Sequence, residues 1–502
     1  MRLKSNIPMP VELPRKTLDP WVKGLLYPGA WPLLAVALFV FIAPNIDLSP
    51  GLQWHDGQRL AQLVLLAVVL ATFLIPGIWR EVSGTWMLLP PWVRGALAVT
   101  FVLGLVSTIR APLPRWALLE WSLYWLLIVL LLSVAGQFRR FGQKAEVAMV
   151  VLIFASATAY SASSSVVYVS MLLFAADYGQ IFDIRELYVS FSNMRFFGHI
   201  QTMLLPFLLL PAMWWGSSRL RRAALWIVPA IWWTLVVASG TRGTWVALFL
   251  GLVAVALYSG SVGRRWIKWQ VSGLVCGLAC YALFILMIPK WLNQPAWLLQ
   301  RAGEIMTLSL RDVLWRNALT FTADHPVLGV GPMHYAYSAT VVGAHPHNAL
   351  LQWSAEWGLP SAVLFFGVCT FAGLAYAKYV RHQTGLEAGR PAMFRTAMLA
   401  ALVGAAAQAM VDGVLVMPVS QVILAGLCGC AVAMTYADES VRDQVKRPVW
   451  LVVVTVFAAA GLVYGVMPEI TRIEERERAY LAASPPDTQL LPRFWTHGLI
   501  GR

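Results

Sequence analysis

WALLEWSLYWLLIVLLLSVAG, residues 116–136, holds a single charged residue, Glu120, in a run long enough to cross a bilayer. A helix rises 1.5 Å per residue, so about 20 apolar residues cover the roughly 30 Å of hydrocarbon. Working outward, similar runs lie near 26–46, 60–79, 92–109, 147–176, 197–216, 223–239, 245–262, 271–290, 360–380, 396–416, 418–436 and 449–467. With 59% hydrophobic and 12% charged residues among 502, the chain is far from the balance of a soluble domain. The expectation is an all-α polytopic membrane protein with about 13 transmembrane helices.

The ends and loops orient this bundle. Residues 1–23 carry Arg2, Lys4, Arg15, Lys16 and Lys23 without a short apolar region and small-residue cleavage site, so the first span reads as an anchor, not a removable signal. With that segment inside, alternate loops place about 23 of the 38 lysines and arginines on the cytoplasmic face. The formal charge of +14 is scattered over these short loops, which argues against a nucleic-acid partner. Cys276, Cys280, Cys369, Cys428 and Cys430 all fall in proposed spans and read as packing residues. No repeat and no long linker marks a second soluble domain. The expected division is a cytoplasmic segment 1–25, a membrane domain 26–467 with an outer loop 291–349 inserted, and an outer tail 468–502. In a bacterial inner membrane the outer face is the periplasm. The tail's charged start, Glu469–Arg478, reads as a solvated surface helix.

Candidate chemistry gathers on the outer face, where seven of the eight histidines fall and only His382 does not. In the long loop, Ser309-Leu310-Arg311-Asp312 has the form of a capping box opening an amphipathic helix through Trp315 to about residue 321. Arg311 then sits in a first helical turn, where the dipole opposes a cation unless an anion is shared with the backbone N–H groups. Asp312 balancing an exposed Arg311 is the bland alternative. Ser239-Gly240-Thr241-Arg242-Gly243 repeats the pattern at the outer start of a span, where Arg242 serves as a phosphate fork or as an interfacial anchor. In Ala344-His345-Pro346-His347-Asn348, Asn348 caps a helix that runs until Gly358 and Pro360. His347 precedes that helix and reads either as a loop histidine or as a general base. His345 and His347 lack a third ligand at metal spacing, so no metal is expected. Glu356, nine residues beyond His347, lies half a turn around and roughly 13 Å along, out of its reach. Glu120 and Asp412 are charges inside proposed spans, either functional or paired with an inter-helix Arg or Trp.

Ser239-Gly-Thr-Arg-Gly243, Leu310-Arg-Asp-Val-Leu-Trp315 followed by His325-Pro-Val-Leu-Gly-Val-Gly331, and His347-Asn348 with Glu356-Trp-Gly-Leu359 together closely resemble the O-antigen ligase and polymerase superfamily, to which bacterial protein O-oligosaccharyltransferases also belong. The likeness is densest over residues 190–380. It implies a GT-C-like inner-membrane glycosyltransferase, without cofactor or metal, that moves a glycan from undecaprenyl diphosphate to an acceptor hydroxyl in the periplasm. Lipid A-core is the acceptor of a ligase, a second lipid-linked glycan that of a polymerase, and a protein Ser or Thr that of an oligosaccharyltransferase. By the same resemblance Arg242 and Arg311 bind the diphosphate, His347 activates the acceptor, and Glu356 is structural. Arg195 matches an arginine that many relatives follow with Gly-Asn-Pro-Asn, a run replaced here by Gly198-His-Ile-Gln201. His345, Trp315 and Asn348 are supporting candidates. Outside this class, a lipid or solute transporter is the rival reading, with Glu120 and Asp412 as its coupling charges.

Overall fold

The computed structural model describes residues 31–73, 75–178, 182–293, 310–338, 343–386, 389–436, 448–483 and 491–501. The expected cytoplasmic segment 1–25, Ser309, and parts of the outer loop and tail lie outside the described residues. Among those described, every regular element is helical. They are α1 (Trp31–Ile42), α2 (Trp54–Phe73), α3 (Pro76–Leu88), α4 (Pro91–Arg110), α5 (Pro114–Phe141), α6 (Gln143–Tyr178), α7 (Met194–Trp215), α8 (Arg219–Ser239), α9 (Arg242–Tyr258), α10 (Gly260–Trp291), α11 (Arg311–Asp324), α12 (Ala349–Trp357), α13 (Leu359–Leu386), α14 (Arg390–Ala409), α15 (Pro418–Thr435), α16 (Val449–Ile470) and α17 (Ile473–Ala483). Eleven of them are long and apolar enough to cross a membrane, and α1 and α9 are shorter apolar helices. The chain is an all-α polytopic membrane protein.

Each expected run falls on one of these helices, with two corrections. The run placed at 60–79 is α2, which ends at Phe73, and Pro76 starts the separate helix α3 because proline has no N–H to continue a ladder but fits a first turn. The run placed at 396–416 is α14, which ends at Ala409. There the Asp412 carboxylate accepts a hydrogen bond from the Gly413 N–H at 2.8 Å, a local competitor to the helix. Asp412 therefore lies in a turn between two spans and not inside one.

The bundle has an inner and an outer set. The apolar windows of α5, α7, α14 and α15 are 72–89% buried, whereas those of α10 and α13 are 17% and 22% buried and leave their surfaces for lipid. Hydrocarbon gives no hydrophobic drive between helices, so close packing has to hold them. Glycine supplies it: a Cβ on Gly251 of α9 would lie 2.8 Å from the Ala400 carbonyl oxygen of α14, and one on Gly198 of α7 would lie 2.4 Å from Thr244 Oγ1 of α9. These contacts bring the starts of α7 and α9 level with the Asp412 turn.

The short α12 belongs to the outer loop yet is seated in the bundle. Its Trp353 and Trp357 are fully buried, stack on each other at 4.7 Å, and meet Tyr124 of α5 edge-on. Replacing Gly251 by Ala should cost about 1–3 kcal/mol through overpacking. The same change at Gly373 of α13, where an added Cβ meets nothing within 4 Å, should not destabilise the protein. Thermal unfolding of the two variants in detergent checks the contrast.

Candidate active site

Three arginines occupy first helical turns. Asn193 caps α7, its Oδ1 accepting from the Arg195 N–H at 2.9 Å. Gly240 ends α8 in the left-handed region at φ 55°, and Ser239, Thr241 and Thr244 chain their hydroxyls at 2.9–3.0 Å to set Arg242 as the first residue of α9. Gln408 of α14 donates to Thr244 Oγ1 at 3.2 Å and ties that turn to the neighbouring helix. Arg311 opens α11, which runs to Asp324, three residues past the expected end. Its cap differs from the expected box: the N-cap is Leu310, at φ 56° and without a side-chain bond, and Ser309 is outside the described residues. Arg311 is half-buried, its Nε has no hydrogen-bond partner, and it interacts electrostatically with Arg195, Arg242 and Asp412. Burial and the two neighbouring guanidinium groups lower its pKa, with Asp412 opposing. Arg195, Arg242 and Arg311 thus lie within electrostatic reach of one another and of Asp412.

The histidine loop is held from both sides. Trp315 of α11 donates its indole N–H to the Pro346 carbonyl at 3.0 Å, and Asn348 caps α12 by accepting from the Leu351 N–H at 2.9 Å. His347 lies between them at φ 51°, a left-handed conformation that costs a non-glycine residue about 1–2 kcal/mol. His345 packs beside it with ring centroids 4.1 Å apart. Its Nδ1 accepts from the His347 N–H at 3.3 Å.

Asp412 supplies what the sequence reading did not foresee. Its Oδ1 lies 3.2 Å from His347 Nδ1, and its Oδ2 lies 3.4 Å from His199 Nε2, an ion contact longer than a good hydrogen bond. His199 Nδ1 is 3.1 Å from Ser420 Oγ on α15. Burial opposes the charge of Asp412, yet the His199 and His347 rings hold its carboxyl well below the usual carboxylate range. An ionised carboxylate only accepts, so Nδ1 is the donor in this pair, and in the neutral imidazole that leaves Nε2 as the acceptor. With 21% of its side chain exposed against 5% for Asp412, His347 is the accessible end of the pair.

Glu356 turns away from His347, as its spacing required. Its carboxylate accepts from the Tyr335 N–H at 3.1 Å and from Gln352 Nε2 at 3.2 Å. Arg493 Nη2 reaches both Glu356 and Glu120, with shortest contacts of 2.7 Å to each. Glu120 is therefore a paired charge, and its partner comes from the tail and not from another span. Only part of the expected surface helix is one: α17 starts at Ile473, whereas Glu469 lies in the last turn of α16 and is buried against Arg115 and Arg476, and residues 493–500 are buried as well. The sequence signal for this burial is Arg493 followed by two aromatics, Phe494 and Trp495, after a polar stretch. Among the described residues no three His, Cys, Asp or Glu side chains converge as a metal cage would need.

Residues 225–366 match the family model of the O-antigen ligases. This block is similar to an O-antigen ligase domain. It takes in Arg242, Arg311, Trp315, His345, His347, Asn348 and Glu356, and leaves Arg195, His199, Asp412 and Arg493 outside. Among curated proteins none matches the chain. The domain implies a glycosyl-transfer enzyme acting on lipid-linked glycans, of ligase or polymerase type.

One pH effect follows from the geometry. Burial, then the nearby His347 and Arg493, hold His345 well below the ordinary histidine value of 6.5. The unfolded chain takes that proton first, so the stability it contributes is complete above pH 6.5 and is lost as pH falls below it, at up to about 1.4 kcal/mol per unit. Asp412, with a lowered carboxylate pKa, loses its contribution only in stronger acid. Melting temperature in detergent should fall between pH 7.5 and 5.5, and His345→Gln should flatten that slope.

Proposed function

We propose that the protein transfers a glycan from undecaprenyl diphosphate to an acceptor hydroxyl at the periplasmic face of a bacterial inner membrane, with lipid A-core as acceptor. The single observation that carries this reading is the placement of His347, backed by Asp412, beside Arg311 and the two arginines that influence it. His347 Nε2 takes the acceptor proton as the acceptor oxygen attacks the anomeric carbon. The bond from that carbon to the diphosphate oxygen breaks on the opposite side, which inverts the configuration. Asp412 keeps the imidazole in the useful tautomer and favours the imidazolium that forms. Arg242 and Arg311, with Arg195 behind them, hold the charge of the departing undecaprenyl diphosphate, and the helix N-termini add backbone N–H groups. The leaving group is already activated, so no metal or cofactor is required by this scheme. The apolar, poorly buried faces of α10 and α13 suit the polyprenyl chain.

Purified protein incubated with lipid-linked glycan and, in turn, lipid A-core, a second lipid-linked glycan and a Ser/Thr peptide tests the acceptor. Enlargement of lipid A-core is expected, and enlargement of either alternative alone would move the assignment to a polymerase or an oligosaccharyltransferase. His347→Ala should abolish transfer at normal protein level, and Asp412→Asn should lower kcat by about 10²–10⁴. Arg242→Ala and Arg311→Ala should weaken donor binding and slow transfer. Retained transfer by His347→Ala would remove the mechanism.

A further inference from the structure

We infer that Arg493 is a positioning residue for His347, acting with Arg59 as a clamp behind the active site. This rests on the transfer reading above. Arg493 never approaches His347 directly. It fastens Glu356, in the last turn of α12, to Glu120 of α5, and α12 is a nine-residue rod whose other end follows His347. Both Glu356 oxygens are also engaged, by Tyr335 and Gln352, so the carboxylate cannot rotate without losing partners. Fixing one end of a rigid rod to a membrane span fixes the place of the residue at the other end.

The second half of the clamp reaches Asp412. Arg59 of α2 is almost wholly buried, and its Nη2 donates to the Val416 carbonyl at 2.7 Å, in the turn that carries Asp412. The same guanidinium donates to the carbonyls of Arg493 at 3.1 Å and Phe494 at 3.0 Å. Asp56 Oδ1 accepts from the Thr496 N–H at 2.7 Å, and His55 Nε2 meets the Phe494 carbonyl at 3.2 Å. One buried strip, residues 493–496, is thus gripped by α2 on one side while its own arginine grips α12. His347 and Asp412 stand on separate loops, and this strip is bonded to the supports of both. One guanidinium, Arg493, pairs with two carboxylates, Glu120 and Glu356, and Arg59 acts on Glu120 only through longer-range electrostatics. Loss of Arg493 would leave both carboxylates buried and facing each other.

The test uses the full chain with Arg493→Met and Arg493→Lys, and with His347→Ala as the inactive reference. Three quantities are read: kcat per folded molecule, KM for lipid-linked glycan, and deuterium uptake of the peptide covering residues 343–352. Misplacement of a catalytic group by about 1 Å costs on the order of 100-fold in rate, so Arg493→Met should lose about that factor in kcat with donor KM unchanged and faster uptake around His347. Arg493→Lys keeps the charge on a shorter, differently shaped donor, and should fall between. If Arg493→Met does not fold, Arg493→Lys decides by the same two readouts. Wild-type kcat per folded molecule, or unchanged uptake around His347, overturns the clamp. If the wild-type chain itself moves no glycan, the proposed function fails and the uptake alone decides the clamp.

Discussion

The close crossing of α9 on α14 at Gly251 and Ala400 governs where charge can sit in this protein. Between helices in lipid, contact distance is set by the smallest side chains at the crossing. Here the α9 backbone comes down onto the α14 backbone, and α7 comes down onto α9 at Gly198. Three chain segments far apart in sequence, near residues 195, 242 and 412, are held at one level in consequence. The hydrogen bond at 3.2 Å between His347 and Asp412 has little tolerance, since such contacts weaken steeply beyond ordinary range. A side chain inserted at the crossing would shift the Asp412 turn by more than that contact can follow.

Charge balance separates the two polar regions built on this scaffold. Around Arg493 one guanidinium meets two carboxylates, each carboxylate oxygen has a named donor, and the region is sealed from solvent. Such a set holds architecture in place. Around Arg311 the sum is different, with two like charges and one opposite charge acting on a half-buried guanidinium whose Nε is unpartnered. Each of Arg195, Arg242 and Arg311 also opposes the dipole of the helix it starts. Both costs are reversed by an anion of more than one charge, and a diphosphate is such an anion.

The sequence carried the span pattern clearly because a bilayer demands long uninterrupted apolar runs, and each run expected has its helix. The arginines and His347 were legible for a local reason: each sits beside its own capping or turn residues, Thr241, Asn193 and Asn348. The partners of Asp412 and Arg493 were not legible, because they lie 65 and 373 residues away and no local pattern announces them. Asp412 was misplaced into a span because Val411, Val414, Leu415 and Val416 extend the apolar run past the true helix end. His199 first read as a departure from a motif. Its contact with Asp412 gives that departure a physical meaning in this chain.

The conformation of His347 bears on the role proposed for it. A histidine needs no left-handed backbone merely to precede a capped helix, since Asn348 already supplies the extended residue at that position, with φ of −152°. The strained φ of 51° is kept in place by the Trp315 bond to Pro346 and by the His345 ring accepting the His347 N–H. Two separate contacts thus oppose relaxation of one residue. Relaxed to an extended φ, His347 would swing its ring off Asp412 and lose the partner that fixes its tautomer. Strain at a residue held against a carboxylate accords with the base role proposed for it.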